Sequence, residues 1–274
     1  MIAILFRKLP DFGVTNLYAI VCNYMCCFVL GSVMIGKIPI NTEILQEPWF
    51  PYALCLSMLF IVFFNVNAYT IQKVGIIITS IFQKLSLVFP VLVGIVFYQE
   101  AATVYKIAGI VLSMIAIVLI NISDKSDMDV IEKVKKYWYW PFLVLLGSGI
   151  IEVLLFYVEV TNKVTESQLA FVTTLFFLAG CWGLIYMVAS RKLGIKKQDI
   201  IAGIAIGIPN FFTIYLLIFA LKIGWEGSVL FPIINLGVII LISIIGIFYF
   251  KEKLIPANYL GLAMALIAVV LISI

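Results

Sequence analysis

Long apolar runs follow one another along the chain, broken by short polar stretches with turn signals. A bilayer core needs about 20 apolar residues per crossing helix, and on that scale the pattern predicts spans over 15–35, 50–71, 75–98 and 104–122. A second series follows over 138–161, 167–190, 199–222, 227–250 and 255–274. The first seven residues are too short to cross alone. The expectation is an all-α integral membrane protein with nine full spans and an N-terminal stub.

The stretch from Gly75 to Ile122 recurs from Gly227 to Ile274 when 152 is added to each number. Gly75 falls on Gly227, Gln83 on Asn235, Gly94 on Gly246, Glu100 on Glu252 and Gly109 on Gly261. Ile115, Ala116, Val118, Leu119, Ile120 and Ile122 recur as Ile267, Ala268, Val270, Leu271, Ile272 and Ile274. Carried backwards, the shift pairs Ala68 with Ala220, Phe60 with Phe212, Leu17 with Leu169 and Asn16 with Gln168. Two copies are therefore expected, over 1–122 and 138–274, joined by a linker at 123–137. The shift sets Met1 opposite Val153, inside the span that starts near Trp138, so about fourteen residues of a first helix are expected upstream. The full plan would be ten helices in two five-helix units. Five is odd, so the second unit enters the bilayer upside down, giving an inverted repeat of the kind that builds many transporters.

Composition agrees. The chain is 64% apolar and 12% charged, with a mean hydropathy of +1.19, against roughly half apolar for soluble domains. The net charge of +4 is spread over short loops, so it speaks to topology and not to nucleic acid. The loops after the stub and after the spans ending near 71, 122, 190 and 250 hold 13 Lys and Arg, and the opposite set holds Lys37, Lys106, Lys163 and Lys222. The positive-inside rule assigns the first set to the cytoplasm. The run Asp124–Lys136 reads as a solvated linker, and Trp49, Trp138, Trp140 and Trp225 at span ends read as interface anchors. Cys22, Cys26, Cys27, Cys55 and Cys181 have no metal-ligand or disulfide spacing and read as packing residues. No metal or cofactor is expected.

Lys84 and Glu152 stand near span centres, where a charge costs roughly 2.5–3.5 kcal/mol and so needs water, a partner or an interior face. They are expected to approach each other or to line one cavity. Thr79, Gln83, Ser86 and Pro90 follow at spacings of four, three and four, which sets them on one helical face with Lys84. The second copy keeps only Asn235 of that set, with Phe231, Val238 and Ile242 at the other places, so the cavity should be chemically lopsided. Asn23 and Asn210 complete the expected substrate-binding set; as intramembrane amides they also read as helix–helix contacts. Glu159, near a span end, reads as solvated. Pro90, Pro209 and Pro232 each remove a helical hydrogen bond and can kink their helices. Gly203 with Gly207, and Gly261 with Ala265 and Ala268, give narrow faces for close packing. Glu100 and Glu252 close spans and are read as caps of the helices that follow them.

A span ending in Glu, about eight residues and then a Gly in an apolar helix, found as Glu100 with Gly109 and again as Glu252 with Gly261, resembles the EamA-type units of the drug/metabolite transporter superfamily. The resemblance covers essentially the whole chain. It implies a ten-helix fold of two inverted five-helix repeats around a central cavity, moving amino acids, other metabolites or drugs. The sequence thus predicts a multi-pass secondary transporter of the bacterial cytoplasmic membrane, with a small-molecule substrate, the lipid bilayer and no nucleic acid as its partners. A lipid scramblase or a structural membrane subunit is the alternative. An intramembrane enzyme ranks lower: the chain has no histidine for a zinc site or a nucleophile–His pair, and Gly147-Ser148-Gly149 lacks the spacing of a nucleophile elbow.

Overall fold

The computed structural model describes residues 5–6, 8–120, 136–161, 168–191, 194–248 and 255–273, without the side chains of 242–248 and 273. Glu252 and the expected linker up to residue 135 lie outside these. The described residues form no strand, two short 3-10 helices (Leu9–Phe12 and Thr42–Gln46) and ten α-helices: α1 (Asn16–Ile35), α2 (Phe50–Val74), α3 (Ile76–Leu85), α4 (Val88–Phe97), α5 (Val104–Ile120), α6 (Tyr139–Val160), α7 (Gln168–Ala189), α8 (Lys197–Lys222), α9 (Gly227–Phe248) and α10 (Pro256–Ser273). Six apolar segments are long enough to cross a membrane: α1, α2, α3 with α4, α6, α7 and α8. At 17 residues and 1.5 Å per residue, α5 is about 26 Å long. α1 stops at Gly36, whose φ of 77° is open to glycine and whose N–H reaches Ser32 O and Val33 O.

The expected 75–98 span is two helices. Pro90 has no N–H for the Ser86 carbonyl and its ring crowds that carbonyl, and the helix breaks at Ser86 and Leu87. Leu87 N–H, which would bond Gln83 O in an unbroken helix, turns to Lys84 O at 3.4 Å. Pro209 and Pro232, by contrast, lie inside continuous helices.

The chain forms two compact units, and they are not the two sequence copies. The first unit is Met1–Ile76 with Leu154–Ile223, and the second is Ile77–Val153 with Gly224–Ile274. Each takes helices from both copies. In the first, α1 packs on α8 and α7, and α2 packs on α7; in the second, α5 packs on α10 and α4 on α9.

Within each unit, contacts obey the 152-residue shift reciprocally. Gly31 meets Thr173, and Gly183 meets Val21. Phe28 packs on Phe177 at 4.9 Å between ring centroids, and Gly180 meets Met25. Tyr24 stacks on its own counterpart, Phe176, at 5.9 Å. In the second unit, a Cβ on Gly109 would come within 2.7 Å of Ile272 Cγ1, and one on Gly261 within 2.8 Å of both Ile120 Cγ1 and Ile120 N. If i touches j+152 then j touches i+152, which is the signature of a two-fold contact. Residue numbers rise on one helix as they fall on its partner, so α1 with α7, and α5 with α10, run antiparallel.

Aromatic rings fill the first unit. Tyr24, Phe156, Phe171, Phe176 and Phe211 are fully buried, and the Tyr24 hydroxyl donates to Phe60 O at 2.8 Å. Trp49 is only 4% exposed and sits edge-on against Phe171, which overturns its reading as an interface anchor. Pro51, in the first turn of α2, suits the start of that helix, where its missing N–H has no helical partner. Trp138 and Trp225, at 65% and 46% exposure, remain at the surface.

Candidate functional site

The second unit holds the polar cluster of α3. Lys84 Nζ donates to Asn235 Oδ1 of α9 at 2.9 Å. Ser86, buried at the α3–α4 break, lies 3.0 Å through its Oγ from Glu152 Oε2 of α6 and donates to Gln83 O at 2.6 Å. Lys84 and Glu152 are half-buried and within electrostatic reach of each other. Among the described residues they close no ion pair; each is turned to a neutral partner. Thr79 is buried one turn before Gln83, and Pro90 is buried beyond the break.

One glycine helps to set this geometry. Asn235 is the counterpart of Gln83 under the repeat, and α9 packs on α4. On α6, a side chain at Gly149 would run into the ring of Phe89, so its absence lets α6 close on the start of α4. Glu152 lies three residues on, along the same face, and so reaches Ser86. The sequence marked Glu152 by its charge; that Gly149 delivers it was not read, although a glycine in a run of bulky residues was the available signal.

Asn23 and Asn210 fall in the first unit, joined to each other. Asn210 Nδ2 donates to Asn23 Oδ1 at 3.2 Å, Asn23 Nδ2 to Ile20 O at 3.4 Å, and the Cys27 thiol to Gly207 O at 3.2 Å. Both amides are at most 4% exposed. Gly203 and Gly207 bring the α8 backbone against α1, where a Cβ on Gly207 would lie 2.9 Å from Asn23 O. This is the helix–helix reading of intramembrane amides.

Glu159, expected in solvent, is 6% exposed. Its Oε2 has no hydrogen-bond partner among the described residues, and Lys222, which donates to Gln168 Oε1 at 3.1 Å, lies within electrostatic reach. Side chains from α7 and α8 cover this end of α6, a tertiary effect that span-end position does not foretell.

Comparison with known proteins places these helices. The model of the EamA-like transporter family matches residues 1–122. A relative from Haemophilus influenzae described as an uncharacterized protein is 30% identical over 259 residues, which cover 92% of this chain and 86% of that protein. The chain belongs to the EamA-like transporter family. It is a multi-pass integral membrane protein of the drug/metabolite transporter type. A solved crystal structure of a protein superposes at a TM-score of 0.69 and 10% identity, covering 99% of this chain and 94% of that one, so the fold is shared with a known structure.

The EamA-type glutamate acts differently from the expectation. Glu100 caps α9, accepting from Gly227 N–H at 2.9 Å and Ser228 N–H at 2.8 Å; it does not cap α5. The first turn of α5 is closed by Thr103, whose Oγ1 accepts from Lys106 N–H at 3.1 Å. Gln99 adopts a left-handed φ of 54° and Glu100 N–H returns to Gly94 O at 3.1 Å, which turns the carboxylate away from its own helix. A Cβ on Gly94 would sit 2.6 Å from Glu100 Oε2. Gly94, Glu100 and Gly227 thus form one packed unit: room for the carboxylate, the carboxylate, and the positive helix end it binds. Lys106, counted as a loop cation, is buried in an ion pair with Glu226.

Proposed function

We propose that this EamA-like transporter is a secondary transporter that moves a small polar metabolite across the bacterial cytoplasmic membrane by alternating access. The observation that carries the reading is the Lys84–Asn235 and Ser86–Glu152 cluster at mid-span in otherwise apolar helices. Two ionisable groups held by neutral partners at that depth are costly for a purely structural bundle and suited to exchanging partners with a solute. Thr79 and Gln83 extend the same binding face, while Asn23 and Asn210 serve to hold α1 against α8.

The reciprocal, antiparallel pairing of α1 with α7 and of α5 with α10 supports the inverted ten-helix plan, in which symmetric halves give alternating access a structural basis. The Haemophilus relative supports a bacterial membrane. Flux of labelled amino acids and small metabolites into and out of proteoliposomes tests the reading. Transport that collapses in Lys84→Ala and in Glu152→Ala is expected. An inactive protein over a broad panel, with scrambling of fluorescent lipid in its place, would replace it with the scramblase reading.

A further inference from the structure

A groove of about 640 Å³ opens on the surface of the first unit between α2 and α7. Met58, Val62 and Asn65 form one wall, Trp182 and Tyr186 the other, and Leu17 of α1 lines it as well. Gly183 lays α7 against the other two helices at the floor, since a Cβ there would lie 2.4 Å from Val21 Cγ2 and 3.2 Å from Ile61 Cδ1. Polar groups of the walls are spent within the fold: Trp182 Nε1 donates to Ser57 Oγ at 3.2 Å and Asn65 Nδ2 to Ile61 O at 2.7 Å. One end of the groove is basic. Asn16 and Gln72 exchange hydrogen bonds at 3.1 and 2.8 Å, and α1 is antiparallel to α7, so the start of α1 and the ends of α2 and α7 meet there. Met58, Val62, Asn65, Tyr69 and Lys73 follow at spacings of four, three, four and four, one stripe of α2 that leads out of the groove to an exposed cation. Lys73 Nζ lies over the Tyr69 ring. Arg191, also exposed, stands two residues beyond the end of α7. The carboxylates of this end are engaged elsewhere, Asp11 with Lys8 at 3.3 Å and buried Asp199 with the amides of Thr15 and Lys196. Among the described residues, Lys73 and Arg191 close no ion pair.

We infer that this groove holds one anionic phospholipid, with an acyl chain between α2 and α7 and the phosphate at Lys73 and Arg191. Length and charge both choose that occupant. From Lys73 down to Met58 is 15 residues of α2, about 22 Å along the helix, which is the depth of one leaflet, half of a bilayer about 40–45 Å thick with its headgroups. A helix from a second copy would cross both leaflets and would cover Lys73 and Arg191 without an anion for either, a costly burial of charge. A lipid fills the apolar part with its chain and presents its phosphate where the two cations stand. Basic side chains at the end of an intramembrane groove favour a head with net negative charge over a zwitterionic one. The inference is independent of the Lys84 cluster, which lies in the other unit.

Native mass spectrometry of the purified protein in detergent, given palmitoyl-oleoyl phosphatidylglycerol or the phosphatidylcholine with the same chains, tests this. The expected result is a single retained phosphatidylglycerol, with phosphatidylcholine at least about tenfold weaker. Replacing both cations, Lys73→Ala with Arg191→Ala, should weaken phosphatidylglycerol by about tenfold or more, and inorganic phosphate should not displace the lipid from the wild type. Val62→Trp fills the groove from an exposed position and should lower retention to a similar extent with both cations in place. Ile185→Trp, exposed on the facing wall, repeats that arm, and a monodisperse size-exclusion peak checks the fold of each variant. Equal retention of the two lipids would overturn the inference, as would phosphatidylglycerol binding that survives both tryptophans, which would mark attraction of the head alone. A dimer that the tryptophans dissolve would assign the groove to a second copy and overturn it as well.

Discussion

The two units treat intramembrane polarity in opposite ways. In the first, amides answer amides: Asn210 donates to Asn23, Cys27 to the backbone of α8, and glycines press the helices together over the contact. In the second, Lys84 and Glu152 are each hydrogen-bonded to a neutral group and, though within electrostatic reach, close no ion pair with each other among the described residues. The first arrangement is self-sufficient and resists change. On the proposed transport reading, the donors and acceptors of the second would change partners when a solute binds.

The strongest test of the difference is to overfill the first unit. Gly207 has no space for a side chain beside Asn23 O and Cys26, so Gly207→Leu should cost about 3 kcal/mol or more through overpacking and separation of α1 from α8. The expected result is loss of the monodisperse peak in size-exclusion chromatography; a well-behaved protein with unchanged thermal unfolding would show that the contact is loose.

Next comes a crossed pair of substitutions. Asn23→Ala leaves Asn210 without its acceptor and should lower stability by about 1–3 kcal/mol, the penalty for a buried unpaired polar group. Lys84→Ala should do the reverse, with an unfolding temperature close to that of the wild type and flux reduced about tenfold or more. If both changes act on stability alone, the second unit is as structural as the first.

Much of this was legible in the sequence, for definable reasons. Charges in apolar runs stand out, so Lys84 and Glu152 could be named, and the repeat was visible because glycines at close helix contacts tolerate no substitute: Gly109 and Gly261 each meet the other copy's helix. Which helices pair was not legible. Lipid-facing and core-facing positions are both apolar in a membrane protein, so the stripe that orients a soluble helix is weak, and nothing in the pattern said that the compact units would each mix the two copies. The burial of Trp49 and Glu159, and the reach of Glu100 to α9, depend on neighbours brought in by that pairing.

Glu100 offers a smaller effect that bears on the second unit alone. Removing the carboxylate in Glu100→Ala strips Gly227 and Ser228 of their N-terminal cap and should cost about 1–2 kcal/mol. Glu100→Gln retains an acceptor without the charge and should recover about half of that. Thermal unfolding of the two variants separates the hydrogen bonds from the charge.

The smallest expected effect, a coupling of about 0.5 kcal/mol, tests the symmetry that underlies both units. Gly109 on α5 and Gly261 on α10 make corresponding contacts, the first against Ile272 and the second against Ile120. Gly109→Ala and Gly261→Ala should therefore destabilise by similar amounts, each about 1–3 kcal/mol from overpacking at the close approach. Because the substitutions share one helix pair, they should not add: once either alanine has pushed α5 from α10, the second meets a widened gap, and the double variant should fall short of the sum by about 0.5 kcal/mol or more. Unequal single effects would mean that the likeness of the two contacts is one of sequence without matching energetics; equal and additive effects would mean that each glycine relaxes locally and the helix pair does not respond as a unit.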